Sequence, residues 1–348
     1  MSQSLLFGEW IFQLKGEKAI LIDVRSPGEY AQGHIPGAFS LPLFSDEERK
    51  VVGTLYKQES QEKAFLQGLD FVGPKMSGFV VQAKKWADGK KIFLYCWRGG
   101  MRSQSMAWLL KSAGLEVFTL KGGYKNFRKE VLERPLIFPD LLILGGFTGS
   151  RKSQILRLLK EKGQDVIDLE ALAHHKGSAF GGIGEGPQPT QEQFENELFL
   201  HDCFWKNSSL VWLEDESKAI GKLRISNALF EKMRISPLIF LKSDPETRVR
   251  FILENYGKAD PEDLRNSILK LKKRLGGLRM KIALEALDNQ DIKTSAAIIL
   301  EYYDQGYSHG LMSRPKELIT EFEVGASNES EVADSLIHWI KRSADSGF

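Results

Sequence analysis

Cys96 stands where a thiol can be made reactive. It closes the apolar run KIFLYC and is followed by Trp97, Arg98, Gly99, Gly100, Met101 and Arg102, so its sulfur lies where a buried strand gives way to a glycine turn and then a helix. Backbone N–H groups in such a turn, the helix N-terminus and the guanidinium of Arg102 all favour the thiolate, which is the nucleophilic form. Arg98 adds a second local cation. The predicted catalytic set is Cys96, Arg98 and Arg102. A short Cys-to-Arg loop suits a single chalcogen atom and a longer one admits a group the size of phosphate, so loop size alone leaves both chemistries open.

A second centre is the run Gly146-Phe147-Thr148-Gly149-Ser150-Arg151-Lys152-Ser153. Loops of the Walker A pattern, G-x4-G-K-S/T, use glycines so that backbone N–H groups converge on phosphate oxygens while a lysine neutralises charge. Every position agrees except Arg151, which replaces the final glycine. The strand DLLILGG before it and the helix RKSQILRLLKEKG after it supply the required context. A side chain at 151 crowds a triphosphate with its metal, or adds a guanidinium fork suited to a diphosphate. The predicted ligand contacts are Gly146, Gly149, Ser150, Arg151, Lys152 and Ser153, with Asp215 of the strand-end stretch LEDES joining them at the carboxyl edge of the sheet. His174 and His175 can bind a phosphate or a base, and no residue is assigned to a metal.

The stretch ILKLKKRLGGLRMK, from Ile268 to Lys281, carries six cations and no acid, in a chain whose 48 Lys plus Arg nearly balance 46 Asp plus Glu. A net charge of +2 forecasts no polyanion by itself; a local stripe does. Lys270, Lys272, Lys273, Arg274 and Arg279 are the predicted RNA contacts. Trp205, Trp212, Tyr302 and Tyr303 can stack on unpaired bases, although their spacing also suits a core.

These centres need elements to hold them. The 348 residues, 42% hydrophobic and 27% charged, exceed what one core usually serves and match an ordered α/β protein. AILIDVR, AFSLPL, KIFLYC and EVFTL read as strands, with SQSMAWLLKSAG a helix. After VLERPLIFPD, a boundary near 131 to 139, a second pattern begins with DLLILGG and continues through the strands QDVIDLE, SSLVWLEDES and SPLIFLKSD. The expected domains are 1–132 and 138–348, with the chain turning helical as an annex from about 256. No apolar run approaches the roughly 18 residues of a membrane span, and the start lacks the basic region of a signal peptide, so no membrane partner and a cytoplasmic location are expected. Two cysteines, Cys96 and Cys203, form neither a zinc site nor a disulfide framework.

Over roughly residues 5 to 130 the stretches DVRSPGEYAQGHIPGA, YCWRGGMRS and LKGGYKNF resemble the rhodanese family. That resemblance implies an N-terminal rhodanese-like fold with Cys96 as chalcogen carrier or nucleophile. The loop is one residue longer than in most single-domain members and is similar to that of rhodanese-fold phosphatases. Taken together, YCWRGGMRS, LKGGYK, GGFTGSRKS, DLEALAHHKGSAFG, QPTQEQFEN and WLEDES resemble the tRNA 2-selenouridine synthase family, a rhodanese-like domain followed by a P-loop NTPase-like parallel-sheet domain. The resemblance implies a transferase acting on the wobble 2-thiouridine of tRNA, through S-geranyl-2-thiouridine, to give 2-selenouridine. Its substrates would be geranyl diphosphate, near Lys152, and selenophosphate, with selenium near Cys96 and an enzyme supplying selenophosphate as partner; no tightly bound cofactor is expected. The competing readings are a non-catalytic chalcogen carrier or tRNA adaptor, favoured by Arg151, and a rhodanese-fold phosphatase.

Overall fold

The apolar run ending at Cys96 forms the middle strand of a five-stranded sheet in a computed structural model that describes residues 3–16, 19–134, 139–205, 210–325 and 327–345. The strands are β1 (Gln3–Leu5), β2 (Ala19–Asp23), β3 (Ala38–Ser40), β4 (Lys91–Tyr95) and β5 (Val117–Leu120), in the order β1-β5-β4-β2-β3 and all parallel. Parallel strands are covered on both faces, which is why β2 and β4 read as nearly continuous apolar runs. On one face Ile22, Leu94, Ala83, Met106 and Leu110 share a core with Cys96. Local signals set the helix starts: Ser45 caps Asp46–Gln58 by accepting the Glu48 N–H, and Ser60 caps Gln61–Val72 through Lys63.

The first compact unit comprises Met1–Pro135 together with Thr190–Leu200. That later segment, part of the helix Gln191–Trp205, buries Phe194 and Phe199, with the Phe199 ring 5.8 Å from both Phe7 and Phe127. Its polar face is equally engaged. Buried Asn196 donates to the Tyr124 hydroxyl at 2.8 Å and to the His34 carbonyl at 2.9 Å, and Arg128 pairs with Glu195 at 2.8 Å. Residues 135–138, within the predicted boundary, lie outside the described residues.

The second unit comprises Leu136–Pro189 and His201–Phe348. Its strands are β6 (Asp140–Gly146), β7 (Val166–Ile167), β8 (Leu210–Glu214), the antiparallel pair β9 (Ala219–Ile220) and β10 (Leu223–Arg224), β11 (Leu238–Lys242) and β12 (Ile319–Glu323). The main sheet runs β12-β11-β6-β8-β7, all parallel, with β6 central. Two helices cover one face: Ile155, Leu156 and Leu159 of Lys152–Glu161 pack with Val332, Ala333 and Leu336 of Glu329–Asp345. The stretch QDVIDLE forms a strand only at Val166–Ile167, because Asp168 accepts the Ala171 N–H at 2.8 Å and starts the helix Leu169–Ala173.

Beyond residue 256 come the helices Pro261–Lys270, Lys272–Leu275, Gly277–Asp288 and Ile292–Met312, joined around Leu264, Ile268, Leu271, Leu287 and Ile299. The chain then returns to the sheet as β12, which a purely helical reading of this region does not contain. ITEFE is a short edge strand with mostly polar residues, so it shows no apolar run. Among the described residues no helix is long and apolar enough to cross a membrane.

Candidate active sites

In the first unit Cys96 follows β4 and is 2% exposed. Its thiol donates to the Ser103 hydroxyl at 3.1 Å, and that hydroxyl donates to the Gly100 carbonyl at 3.1 Å, so Ser103 fixes the sulfur from the first turn of the helix Met101–Ser112. Among the described residues, the backbone N–H groups from Trp97 to Ser103 have no protein acceptor. Such a run of donors at a helix start is an anion cradle. The neighbouring LKGGYK turn holds it in shape. Tyr124 N–H donates to the Cys96 carbonyl at 2.8 Å and Lys125 N–H to that of Trp97 at 2.9 Å. Gly123, at φ +59°, lies so close to the Cys96 carbonyl and the Gly99 amide that a side chain cannot fit.

Arg102 is braced beside this loop, its guanidinium 2.8 Å from Glu29. Burial opposes ionisation of Glu29, but hydrogen bonds from Arg102, the Ser26 N–H and Arg49 outweigh it and hold the carboxyl down at about 2. Arg98 is exposed on the loop and has no ion-pair partner among the described residues. Below the loop the buried pair Asp23–Arg25, at 2.6 Å, ties the end of β2 to the Gly33 carbonyl, while the guanidinium lies 3.7 Å from the Tyr124 ring centroid.

In the second unit the loop after β6 carries the predicted phosphate contacts. Gly149, at φ +84°, abuts the backbone of Arg248. Arg151 takes the left-handed conformation that glycine usually supplies, φ +64°, which costs a side-chain-bearing residue about 1 kcal/mol. Its guanidinium borders the cleft, with one nitrogen 2.9 Å from Glu329 and its buried Nε without a partner. Lys152 donates to the Gly146 carbonyl at 2.8 Å, and Ser150 Oγ is buried and unpartnered.

Asp215 borders the same cleft, but its carboxylate is engaged by Arg314, by Arg234 at 3.4 Å and by the Tyr307 hydroxyl at 2.6 Å. The acids nearest Ser153 are Glu170, which it contacts, and Glu216 beside it. Ser153 Oγ donates to Glu170 at 2.6 Å, the Glu170 N–H donates to Glu214 at 3.2 Å, and the Glu170 and Glu216 carboxyls both lie against Gly177. Burial, then the charge of Glu170, pushes Glu216 up to about 8, against the pull of Lys152. Burial raises Glu170 too, opposed by the Ser153 hydrogen bond.

The long helix Ile292–Met312 props the phosphate loop at two points. Tyr307 Oη accepts the Gly146 N–H at 3.2 Å, and Asp304 forms a double contact with Arg248, whose guanidinium also reaches the Thr148 carbonyl at 3.3 Å. The loop opens on a cleft of about 1090 Å³ that runs from Gly149, Lys152 and Ser153 into apolar walls formed by Phe251, Ile268, Leu287 and Ile299.

The basic stripe divides in the structure. Lys270, Lys272, Lys273 and Arg274 are exposed without ion-pair partners among the described residues, whereas Arg279 pairs with Glu301 at 3.0 Å and Lys281 lies 3.6 Å from Glu285. Arg274 also borders the cleft. Trp212 is buried in the sheet core, Tyr302 and Tyr303 pack on the annex, and the side chain of Trp205 lies outside the described residues. His174 faces the Pro187 carbonyl at 3.0 Å, and burial followed by the charge of Lys270 holds the His175 ring below its ordinary value.

A family model described as the tRNA 2-selenouridine synthase AAA domain matches residues 139–340, and the rhodanese-like domain matches 9–130. The tRNA 2-selenouridine synthase of Sulfurovum sp. (strain NBC37-1) is 38% identical over 331 residues, covering 83% of this chain and 88% of that protein. The synthases of Hydrogenovibrio crunogenus, at 36%, and Shewanella denitrificans, at 35%, each cover 90% of their own length, with 84% and 86% of this chain. The chain belongs to the tRNA 2-selenouridine synthase family. In this member the residues that motif reading overlooks are Glu29, Glu170, Tyr307 and the pair Arg248–Asp304, whereas Glu216 belongs to the strand-end stretch LEDES. A spacing signal existed for Glu170 alone, which lies two residues beyond Asp168 at the end of a strand.

Proposed function

We propose that this chain converts the wobble 2-thiouridine of tRNA into 2-selenouridine through S-geranyl-2-thiouridine, with geranyl diphosphate bound by the second unit and selenium handled at the Cys96 loop of the first. The observation that carries the proposal is the continuity of the second cleft, a phosphate loop at one end and apolar helical walls at the other. A prenyl diphosphate has that same division. Its diphosphate would meet the amides from Gly149 to Ser153, Lys152 and the unpartnered Nε of Arg151, and its hydrocarbon the annex.

In the first step the thiocarbonyl sulfur attacks C1 of the geranyl group, the C1–O bond breaks and diphosphate departs. Donors already aimed at the diphosphate stabilise the charge that grows on it. A thiocarbonyl sulfur is a poor leaving group, whereas the alkylated sulfur leaves as geranylthiol. In the second step the selenium of selenophosphate adds to C2, geranylthiol leaves, and hydrolysis of the Se–P bond releases phosphate. The amides around buried Cys96 suit a small anionic donor.

Mass spectrometry of tRNA nucleosides after incubation with each donor tests the proposal. A gain of the geranyl mass with geranyl diphosphate, followed by replacement of sulfur by selenium with selenophosphate, is expected. An unchanged base with both donors would leave a carrier or adaptor. Calorimetry adds a second check: tight ATP binding with hydrolysis, and none with geranyl diphosphate, would assign the loop to energy coupling.

A further inference from the structure

S-alkylation of 2-thiouridine has a proton balance that the diphosphate site does not meet. The starting base carries hydrogen on N3. When the new S–C bond forms, the C2–S double bond becomes single, C2–N3 becomes double and the N3 proton must leave. A base within reach of the ring is therefore part of the chemistry. The phosphate loop offers only donors: amides, Lys152, Arg151 and the Ser150 hydroxyl.

Four carboxyls line the same cleft among the described residues: Asp215 is held by Arg314, Arg234 and Tyr307, Glu185 pairs with Lys176 at 2.9 Å, and Glu170 and Glu216 have no ion-pair partner. Ser153, next to Lys152, donates to one oxygen of Glu170 at 2.6 Å. The backbone of Gly177, at φ +67°, closes over both carboxyls, and a side chain there would come within 2.7 Å of Glu216 and 3.1 Å of Glu170. We propose that Glu170 is the general base that takes the N3 proton as the S–C bond forms and the C–O bond of the prenyl diphosphate breaks, and that Glu216 positions it by hydrogen bonding. The inference rests on the reading of the cleft as a prenyl diphosphate site.

The titratable groups around the pair agree with this division. Lys152, from the helix after the loop, favours the ionised form of both carboxyls, while Asp168 opposes ionisation of Glu170 and Asp215 that of Glu216; burial and then the charge of Glu170 in turn raise Glu214 and Tyr256. Burial and the charge of Glu170 hold Glu216 up at about 8, so near neutrality it keeps a proton that it can donate to Glu170.

The test compares wild type with Glu170→Gln, Glu170→Asp and Glu216→Gln, using geranyl diphosphate and an anticodon stem-loop that carries 2-thiouridine. Calorimetric affinity for geranyl diphosphate is expected to stay within about threefold in Glu170→Gln, which also reports that the variant is folded. Its alkylation rate near neutral pH should fall by about 100-fold or more, with Glu170→Asp in between. The deficit should shrink as pH rises to where the thiouracil N3 ionises unaided, because the base is then no longer needed. An unchanged rate, or a loss as deep at alkaline as at neutral pH, overturns the assignment while leaving the prenyl site standing. A wild-type protein that alkylates no 2-thiouridine removes both.

Discussion

Cys96 and Glu29 show how two side chains of one loop system take different tasks. The thiol is buried against Ser103 under a run of uncommitted amides. Cys96→Ala removes little volume and should leave the unit folded and geranylation intact, yet abolish selenium incorporation; nucleoside mass spectrometry of the variant reads both steps, and normal 2-selenouridine would exclude Cys96 from the mechanism. Glu29 works by charge. Its carboxyl is held at about 2 when folded, below its ordinary 4.5, so its stabilising effect is fully present above about pH 4.5 and is lost as pH falls towards 2. Glu29→Gln should therefore lower stability by about 2 kcal/mol at neutral pH, and thermal melts of the two proteins should converge as the solution is acidified through that window. A constant gap would assign the loss to packing. Cys96 was legible in the sequence because strand, glycine turn and helix follow one another. Glu29 was not, since its partner Arg102 lies 73 residues away and only the fold brings them together.

Among the elements, the helix Ile292–Met312 has the widest reach. Ile299 helps to wall the apolar end of the cleft while Asp304 and Tyr307 prop the phosphate loop at the other. Tyr307→Phe deletes both the acceptor for the Gly146 N–H and the donor to Asp215, and geranyl diphosphate should bind about tenfold more weakly, as read by calorimetry. Unaltered binding would mean that the loop keeps its shape without the tyrosine. Lys152→Ala should lose alkylation and leave Cys96 reactive towards thiol reagents. The exposed run Lys272, Lys273 and Arg274 belongs to a different test: if it meets tRNA phosphates, replacing the three by alanine should weaken all tRNAs alike and reduce the slope of log K against log salt by roughly 0.7 to 0.9 per phosphate lost. An unaltered slope would make the run a solvated surface. Charge counting singled out the stripe but could not see that Glu301 pairs with Arg279, because that partner sits on another helix. The return of the chain as β12 was hidden for a similar reason, its strand character coming from pairing with β11.

At the scale of the whole molecule, four strands of each main sheet were legible from apolar runs and the turns between them, and the edge strands β1 and β12 were not. The raised pKa values of the second unit predict the opposite pH trend to Glu29. A buried carboxyl that resists ionisation loses stability as pH rises from its unfolded value towards its folded one, so Glu216→Gln should raise stability most at alkaline pH, in exchange for slower alkylation. What the linear pattern did not disclose is that Thr190–Leu200 belongs with the first unit. That fact bears on the order in which the chain is made. Synthesis runs from the N-terminus, and domains usually fold as they emerge. Here the rhodanese-like residues leave the ribosome well before the segment that covers Phe7 and Phe127 and pairs with Arg128 exists. Until Leu200 has been added, an apolar patch and a buried-side cation stand uncovered on the nascent protein. A gene fragment stopped at the apparent domain boundary would preserve that unfinished state permanently.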